Sequence, residues 1–363
     1  MIFTDKSTKV KNMDFKKLKI GYVPYLPDLS QPGDRRRFPY FAKRNNVKFE
    51  VADADTRYDV ILLTAVTSNL SKWIAYKRNH PDTQFIFEMT DSLILTSDIF
   101  RTLFKGIGRF LLGKESFLYL NYKVPIIKWL KIADIVICSS TKMANIISEW
   151  NKNIVVSLDY TQNEIKTVKN DYNIEGKMKL VWEGQSVGLT NLLAFKKVLE
   201  QVNPFCELHV ITDEKHYDYG NILTKGVFSL LKELPITTVF HKWELYKNYE
   251  ILSSCDCGII PLNKNNKMAW HKPANKLISF WFAGIPTIVS DTPAYIETMN
   301  NAGTDLYCSD DEEWISGIKK IYQMTPAQRK NLAEENLHHV NAHYSDKALD
   351  ETWFTVFEKL ETK

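Results

Sequence analysis

Short β-branched runs alternate with helical stretches along almost the whole of this 363-residue chain. That alternation excludes most folds before any motif is considered. LKIGYVPYL (18–26), VKFEVAD (47–53), YDVILLT (58–64), TQFIFEM (83–89), ADIVICSS (133–140) and NIVVSL (153–158) read as strands. Helical stretches such as Ser68–Asn79 and Thr141–Asn151 lie between them. The series restarts at MKLVWEG (178–184) and continues through CELHVIT (206–212), ITTVFHKW (236–243), CDCGIIPL (255–262) and PTIVSD (286–291). Helices are expected over 189–202, near 222–233, and over 244–254, 311–323, 325–341 and 346–361. Such alternation puts parallel strands in a sheet covered by helices on both faces. The polar stretch TQNEIKTVKNDYNIEGK (161–177) has no apolar stripe and separates the two series as a linker. We therefore expect an α/β chain with two Rossmann-like doubly wound domains, 1–160 and 178–345, facing across a cleft that receives ligands from the strand ends.

Composition narrows the setting. With 44% hydrophobic and 25% charged residues the chain is globular. The longest uncharged run, Leu277 to Ser290, is 14 residues, short of the roughly 18 that span a bilayer. The first residues contain no apolar core of a secretory signal. Cys255 and Cys257 form a C-x-C without a second pair, so the five cysteines read as reduced core residues, metal-free, in a cytoplasmic protein. Residues 1–160 carry 25 Lys and Arg against 16 Asp and Glu, a net +9. That half should face something anionic: a membrane, a phosphorylated lipid or nucleic acid.

HKPANKLISFWFAGIPTIVSDTPAYIE (271–297) is the segment with the most chemistry. Pro273 suits a first helical turn, whose free N–H groups and dipole hold anions. Lys272 and Lys276 add charge, and Asn275 and Ser279 share one face. A diphosphate with a ribose beside it fits that cradle. Alternatively this is a buried helix whose cations snorkel outward.

The strand, loop and helix from CDCGIIPL to IVSDTPAYIE resemble the second-domain signature of GT-B glycosyltransferases, specifically the family 4-like group. Asp256, Gly258, Pro261, Pro273, Lys276, Ala283, Gly284 and Pro286 fall on that pattern in order. VWEGQSVGLTNL resembles the group's first glycine-bearing loop, which implicates Gly184 and Gln185. TVFHKWELYKNYEILSSCD resembles its base-contacting segment, which implicates Lys242 and Trp243. Two departures stand out. Ser279 occupies the position of a glutamate that usually holds the ribose, and His271, eight residues earlier, stands near that of the other. The usual cations after the domain's first strand are also missing, leaving phosphate to Lys272, Lys276 or Lys242. The resemblance implies a metal-independent transferase, without a cofactor, that moves a sugar from a nucleoside-diphosphate donor to a hydroxyl. It implies retention of configuration and a saccharide or lipid-linked acceptor, as in bacterial cell-surface polysaccharide or glycolipid synthesis. It also implies a closing helix, 346–363, that packs back toward the first domain. A non-catalytic scaffold with a degenerate donor site and a nucleotide-sugar epimerase are the alternatives.

In the first half, GDRRRFPYF offers Asp34, Arg35, Arg36 and Arg37 as an acceptor site, or as a solvated cationic loop. Asp91 in FEMTDSL follows a strand end and could serve as general base or cap the next helix; Glu88 is a weaker candidate. Residues 99–131 hold seven Lys and Arg against Glu115 alone, interleaved with aromatics. They form either a peripheral contact with an anionic membrane at the inner face of the plasma membrane, or an ordinary helix with a basic face. No nucleic-acid motif accompanies the charge. His338, His339 and His343 read as surface residues.

Overall fold

The computed structural model of the chain describes residues 15–66, 69–95, 99–217 and 224–361. Two compact units emerge: Met1–Tyr160, His271–Pro273 and Asp346–Lys363 in the first, Thr161–Trp270 and Ala274–Ser345 in the second.

The first unit is built on six parallel strands, β1 (Ile20–Tyr22), β2 (Glu50–Val51), β3 (Val60–Thr64), β4 (Gln84–Met89), β5 (Ile135–Cys138) and β6 (Ile154–Val156). They are ordered β2-β1-β3-β4-β5-β6. β3 and β5 are buried throughout, as strands covered on both faces must be. The unit's helices of six residues or more, the chain's last one aside, are α1 (Phe38–Arg44), α2 (Leu70–Asn79), α3 (Ile99–Leu111), α4 (Lys123–Ile132) and α5 (Thr141–Ile147). Side chains that suit helix starts cap two of them: Asn69 accepts from the Lys72 N–H before α2, and Ser140 from that of Met143 in α5.

The second unit has its own six parallel strands, β7 (Met178–Glu183), β8 (Cys206–Thr212), β11 (Thr238–Lys242), β12 (Cys257–Ile260), β13 (Thr287–Ser290) and β14 (Tyr307–Cys308). Their order is β11-β8-β7-β12-β13-β14, with an antiparallel pair, β9 (Lys215–Tyr217) and β10 (Thr224–Gly226), apart from the sheet. Its helices of six residues or more are α6 (Leu189–Ala194), α7 (Lys196–Val202), α8 (Lys247–Ser254), α9 (Asn275–Phe282), α10 (Pro293–Ala302), α11 (Asp311–Gln323) and α12 (Pro326–His343). Strand order reverses between β1 and β3 in the first unit and between β7 and β12 in the second. Ligands enter doubly wound sheets at such reversals.

The final helix, α13 (Asp346–Glu361), belongs to the first unit. Trp353, Val356 and Phe357 are buried in its core with Phe38 and Phe41. Arg44 ties the helix down through Asp346 and Asp350, and Tyr160 Oη donates to Asp350 at 2.8 Å.

Several elements differ from the sequence expectation. The single helix expected over 189–202 is two, parted at Phe195. β9, β10 and β14 are too short to show an alternation and were not among the expected strands. Of the helix expected near 222–233, Val227–Leu231 is formed, Thr224–Gly226 is strand, and 222–223 lie outside the described residues. Residues 161–177 are packed rather than free. The Lys169 N–H donates to Ala283 O at 2.9 Å, and its buried ammonium meets Asp256 at 3.5 Å. His339 is buried, not on the surface, with its ring edge-on to Trp281. All five cysteines are buried free thiols. No described helix is long and apolar enough to cross a membrane.

Candidate functional site

In the second unit, the site forms where β7 ends. Trp182 is buried on the last turn of the pleat, Glu183 follows half-exposed, and Gly184 begins the loop. The Gly184 N–H stays on the sheet, donating to Ile211 O at 3.1 Å. From the first turn of α9, the Lys276 ammonium reaches this point. It donates to the backbone oxygen of Glu183 and lies 3.8 Å from the Glu183 carboxylate. It also lies 5.2 Å from the centre of the Trp182 ring, within cation–π range. A Cβ on Gly184 would come within 2.9 Å of that ammonium, so glycine leaves the lysine its place. The Trp243 indole N–H donates to the other Glu183 oxygen at 3.1 Å. Gly184, Trp243 and Lys276, all expected in a donor site, are thus gathered around one residue that was not expected, Glu183. Its signal was available: it is the carboxylate that closes β7 directly before a glycine.

The other donor candidates are placed differently. α9 begins at Asn275 with Ala274 as its cap, so Pro273 stands one residue before the cap and not in the first turn. Ala274 has no side-chain acceptor to offer the first N–H groups, so this helix start is uncapped from its own sequence. The Ser279 hydroxyl is buried and donates to Asn275 O at 2.9 Å, an internal helix bond that turns its proton away from any ribose. Lys242 pairs with Glu214 at 3.0 Å. Gln185 and Lys272 are exposed and His271 is half-buried; His271 to Pro273 group with the first unit.

In the first unit, the four residues at 34–37 do not act as one cationic loop. Asp34 is fully buried and accepts from Tyr22 Oη at 2.8 Å and the Tyr25 N–H at 2.9 Å; it shapes the turn after β1. Arg37 is also buried. Its guanidinium is shared between Glu88 at 2.8 Å, Asp159 at 2.7 Å and Ser157 O at 3.3 Å. A buried cation must be paired in this way, and that removes Arg37 and Asp34 from an exposed acceptor site. Arg35 and Arg36 are half-buried. Glu88 on β4 is wholly buried; burial raises its pKa, against the opposing pull of Arg37. Its second oxygen has no hydrogen-bond partner among the described residues. Asp91, two residues past β4, is half-buried, and its carboxylate makes no hydrogen bond or ion pair among the described residues. It does not cap the helical turn that follows.

No protein-family model matches this sequence, and no curated protein does. Solved structures do match. HepE of Anabaena, solved in complex with UDP, is 12% identical over 95% of this chain and 100% of its own, with a TM-score of 0.66. Sucrose-phosphate synthase from Thermosynechococcus elongatus is 14% identical over 84% of this chain and 74% of its own, at 0.56. A TarM variant of S. aureus, solved with UDP, is 9% identical at a TM-score of 0.56; this chain spans 55% of its length. The chain therefore has the GT-B fold: two α/β units, each with a six-stranded parallel sheet and flanking helices.

Proposed function

We propose that this chain is a glycosyltransferase whose second unit binds a nucleoside-diphosphate sugar at the end of β7 and the start of α9. One observation carries the reading: the Lys276 ammonium sits at the strand end next to the sheet's reversal point, on a helix whose cap residue, Ala274, has no side-chain acceptor. A diphosphate there would compete with Glu183 for Lys276 and take the first N–H groups of α9. As the sugar departs, charge grows on the diphosphate, and the lysine and the helix dipole oppose it without reorganising. Trp243 and the Glu183 carboxylate lie beside this point and supply a flat face and a hydroxyl acceptor for the nucleoside. UDP is the first base to test, because HepE was solved with UDP and with UDP-glucose. In the first unit, Asp91 is a carboxylate just past a strand end with no hydrogen-bond or ion-pair partner among the described residues, suited to take or orient the proton of an acceptor hydroxyl. A retaining outcome, a cell-surface saccharide or glycolipid acceptor and a metal-independent reaction on the cytoplasmic side complete the proposal.

A thermal-shift panel of UDP, GDP, ADP, TDP and CMP, on wild type and Lys276→Ala, tests it. One diphosphate should stabilise the wild type and not the variant. No shift from any nucleotide, on a folded sample, refutes the donor site. A shift without release of free diphosphate from any sugar donor favours the binding protein, as the tied-back Ser279 hydroxyl would allow.

A further inference from the structure

Helix α3 has its polarity inside out. Its inward face carries Thr102, Gly106 and Arg109; the first two are buried, and Arg109 meets Glu115 at 3.0 Å. A Cβ on Gly106 would run into the carbonyl oxygen of Tyr119. The segment after the helix therefore closes on bare backbone, where a larger residue would hold it off. Lys105 lies along this packing, its ammonium 4.4 Å from the centre of the Tyr122 ring. The Tyr122 hydroxyl is anchored in turn to Leu93 O at 2.8 Å. The apolar stripe points the other way. Phe100, Phe104 and Leu111 follow helical spacing along one face and are 74%, 70% and 75% exposed. Leu112, Phe117 and Leu120 extend the apolar surface past the helix end. Soluble surfaces expose large apolar side chains singly, and a contiguous patch marks a contact.

Charge identifies what the contact is. Seven Lys and Arg lie between Ile99 and Lys131 against one acid, Glu115. That acid is buried: its carboxylate accepts from the Leu70 and Ser71 N–H groups and the Ser71 hydroxyl, besides Arg109. The segment thus presents water with cations and apolar groups and no negative side chain. A second copy meeting this face through a twofold axis would bring like charge onto like. We propose that this face docks on an anionic lipid bilayer, with the Phe100–Phe104–Leu111 stripe at the acyl boundary and the cations among the headgroups. The inference rests on the first unit alone and stands apart from the donor chemistry of the second.

Co-sedimentation with phosphatidylcholine vesicles, with and without about one third phosphatidylglycerol, tests it on the full chain. Wild type should sediment with the anionic vesicles, and less as salt rises. Phe104→Ser/Leu111→Ser should lower the partition coefficient at least about 100-fold, with an unchanged melting curve because both side chains already face water. Lys114→Glu, a second exposed change, should lower it about 5- to 25-fold. Wild type failing to sediment with either vesicle overturns the proposal, as does equal partition of wild type and the double variant. A vesicle-free dimer that Phe104→Ser/Leu111→Ser converts to monomer also overturns it, assigning the face to a second copy.

Discussion

Replacing Arg37 with methionine isolates the physics of the buried pair at the heart of the first unit. Methionine fills most of the volume and keeps α1 helical, so the change is chiefly electrostatic. Asp159 is 18% exposed at its side chain and can turn to water, whereas Glu88 is at 0% and cannot. Removing one partner of a buried pair costs about 3–5 kcal/mol when the other charge is stranded. That cost has an escape, because Glu88 can take up a proton. Its carboxyl already titrates above the ordinary 4.5, and losing Arg37 removes the strongest pull in the other direction. In the variant, the folded state therefore holds a proton over a pH range where the unfolded chain, titrating near 4.5, has released it. Stability then falls as pH rises through that range, by up to about 1.4 kcal/mol per pH unit, and returns on acidification. We expect Arg37→Met to lose the full amount near pH 8 and much less near pH 5. Arg37→Met/Glu88→Gln should recover more than half the loss and abolish the pH slope. Hydrogen exchange read on peptides covering β4 is the right assay, since two units need not unfold together. A loss below about 1 kcal/mol at pH 8, or one with no pH dependence, would show that this pair does not hold the unit together.

Three further outcomes are expected. Phe357→Ala on α13 empties a site among Phe38, Phe41 and Trp353 and should cost about 3–5 kcal/mol, seen as lost exchange protection in β5 and α1; protection within 1 kcal/mol of wild type would mean the helix is not part of that core. Gly184→Ala should displace Lys276 and weaken diphosphate binding at least about 10-fold, the worth of one charge-assisted hydrogen bond. Its Cβ would also meet the buried Trp182 ring at 3.0 Å, so the titration is read on a sample shown to be folded, and equal UDP titrations would sink this. His339 is held below the ordinary 6.5 by burial, with His343 and His338 adding repulsion. The unfolded chain gains that proton first, so stability is complete above pH 6.5 and declines as pH falls through it. The melting-temperature drop between pH 7.5 and 5.5 should then be smaller in His339→Gln; equal drops would assign the acid sensitivity elsewhere.

Much of this was legible in one dimension. Eleven of the fourteen described strands were foreseen because most of them are apolar, β-branched runs that a doubly covered sheet requires locally. The β9–β10 pair and β14 were not, because KHY, TKG and YC are too short to carry an alternation. The lysine and glycine of the donor candidate are marked by their motifs; Glu183 stands in the same VWEGQ stretch, yet its place is set by Trp243 and Lys276, 60 and 93 positions away. Arg37 looked like one of three equivalent cations. Nothing local separates it from Arg35 and Arg36; the partners that bury it are 51 and 122 residues away.

The amino-acid sequence by itself determined two strand–helix series, the basic first half and the lysine at the start of an apolar helix. These are local facts, carried by periodicity and composition. Only the tertiary structure decided which sides of those elements are used. Lys276 and Glu183, 93 residues apart, meet because β7 and α9 converge at the reversal point of a sheet. The apolar stripe of α3 faces outward because Gly106, Arg109 and buried Glu115 hold its polar side in. An amphipathic pattern states that a helix has two faces; what the rest of the chain packs against it decides which one is covered.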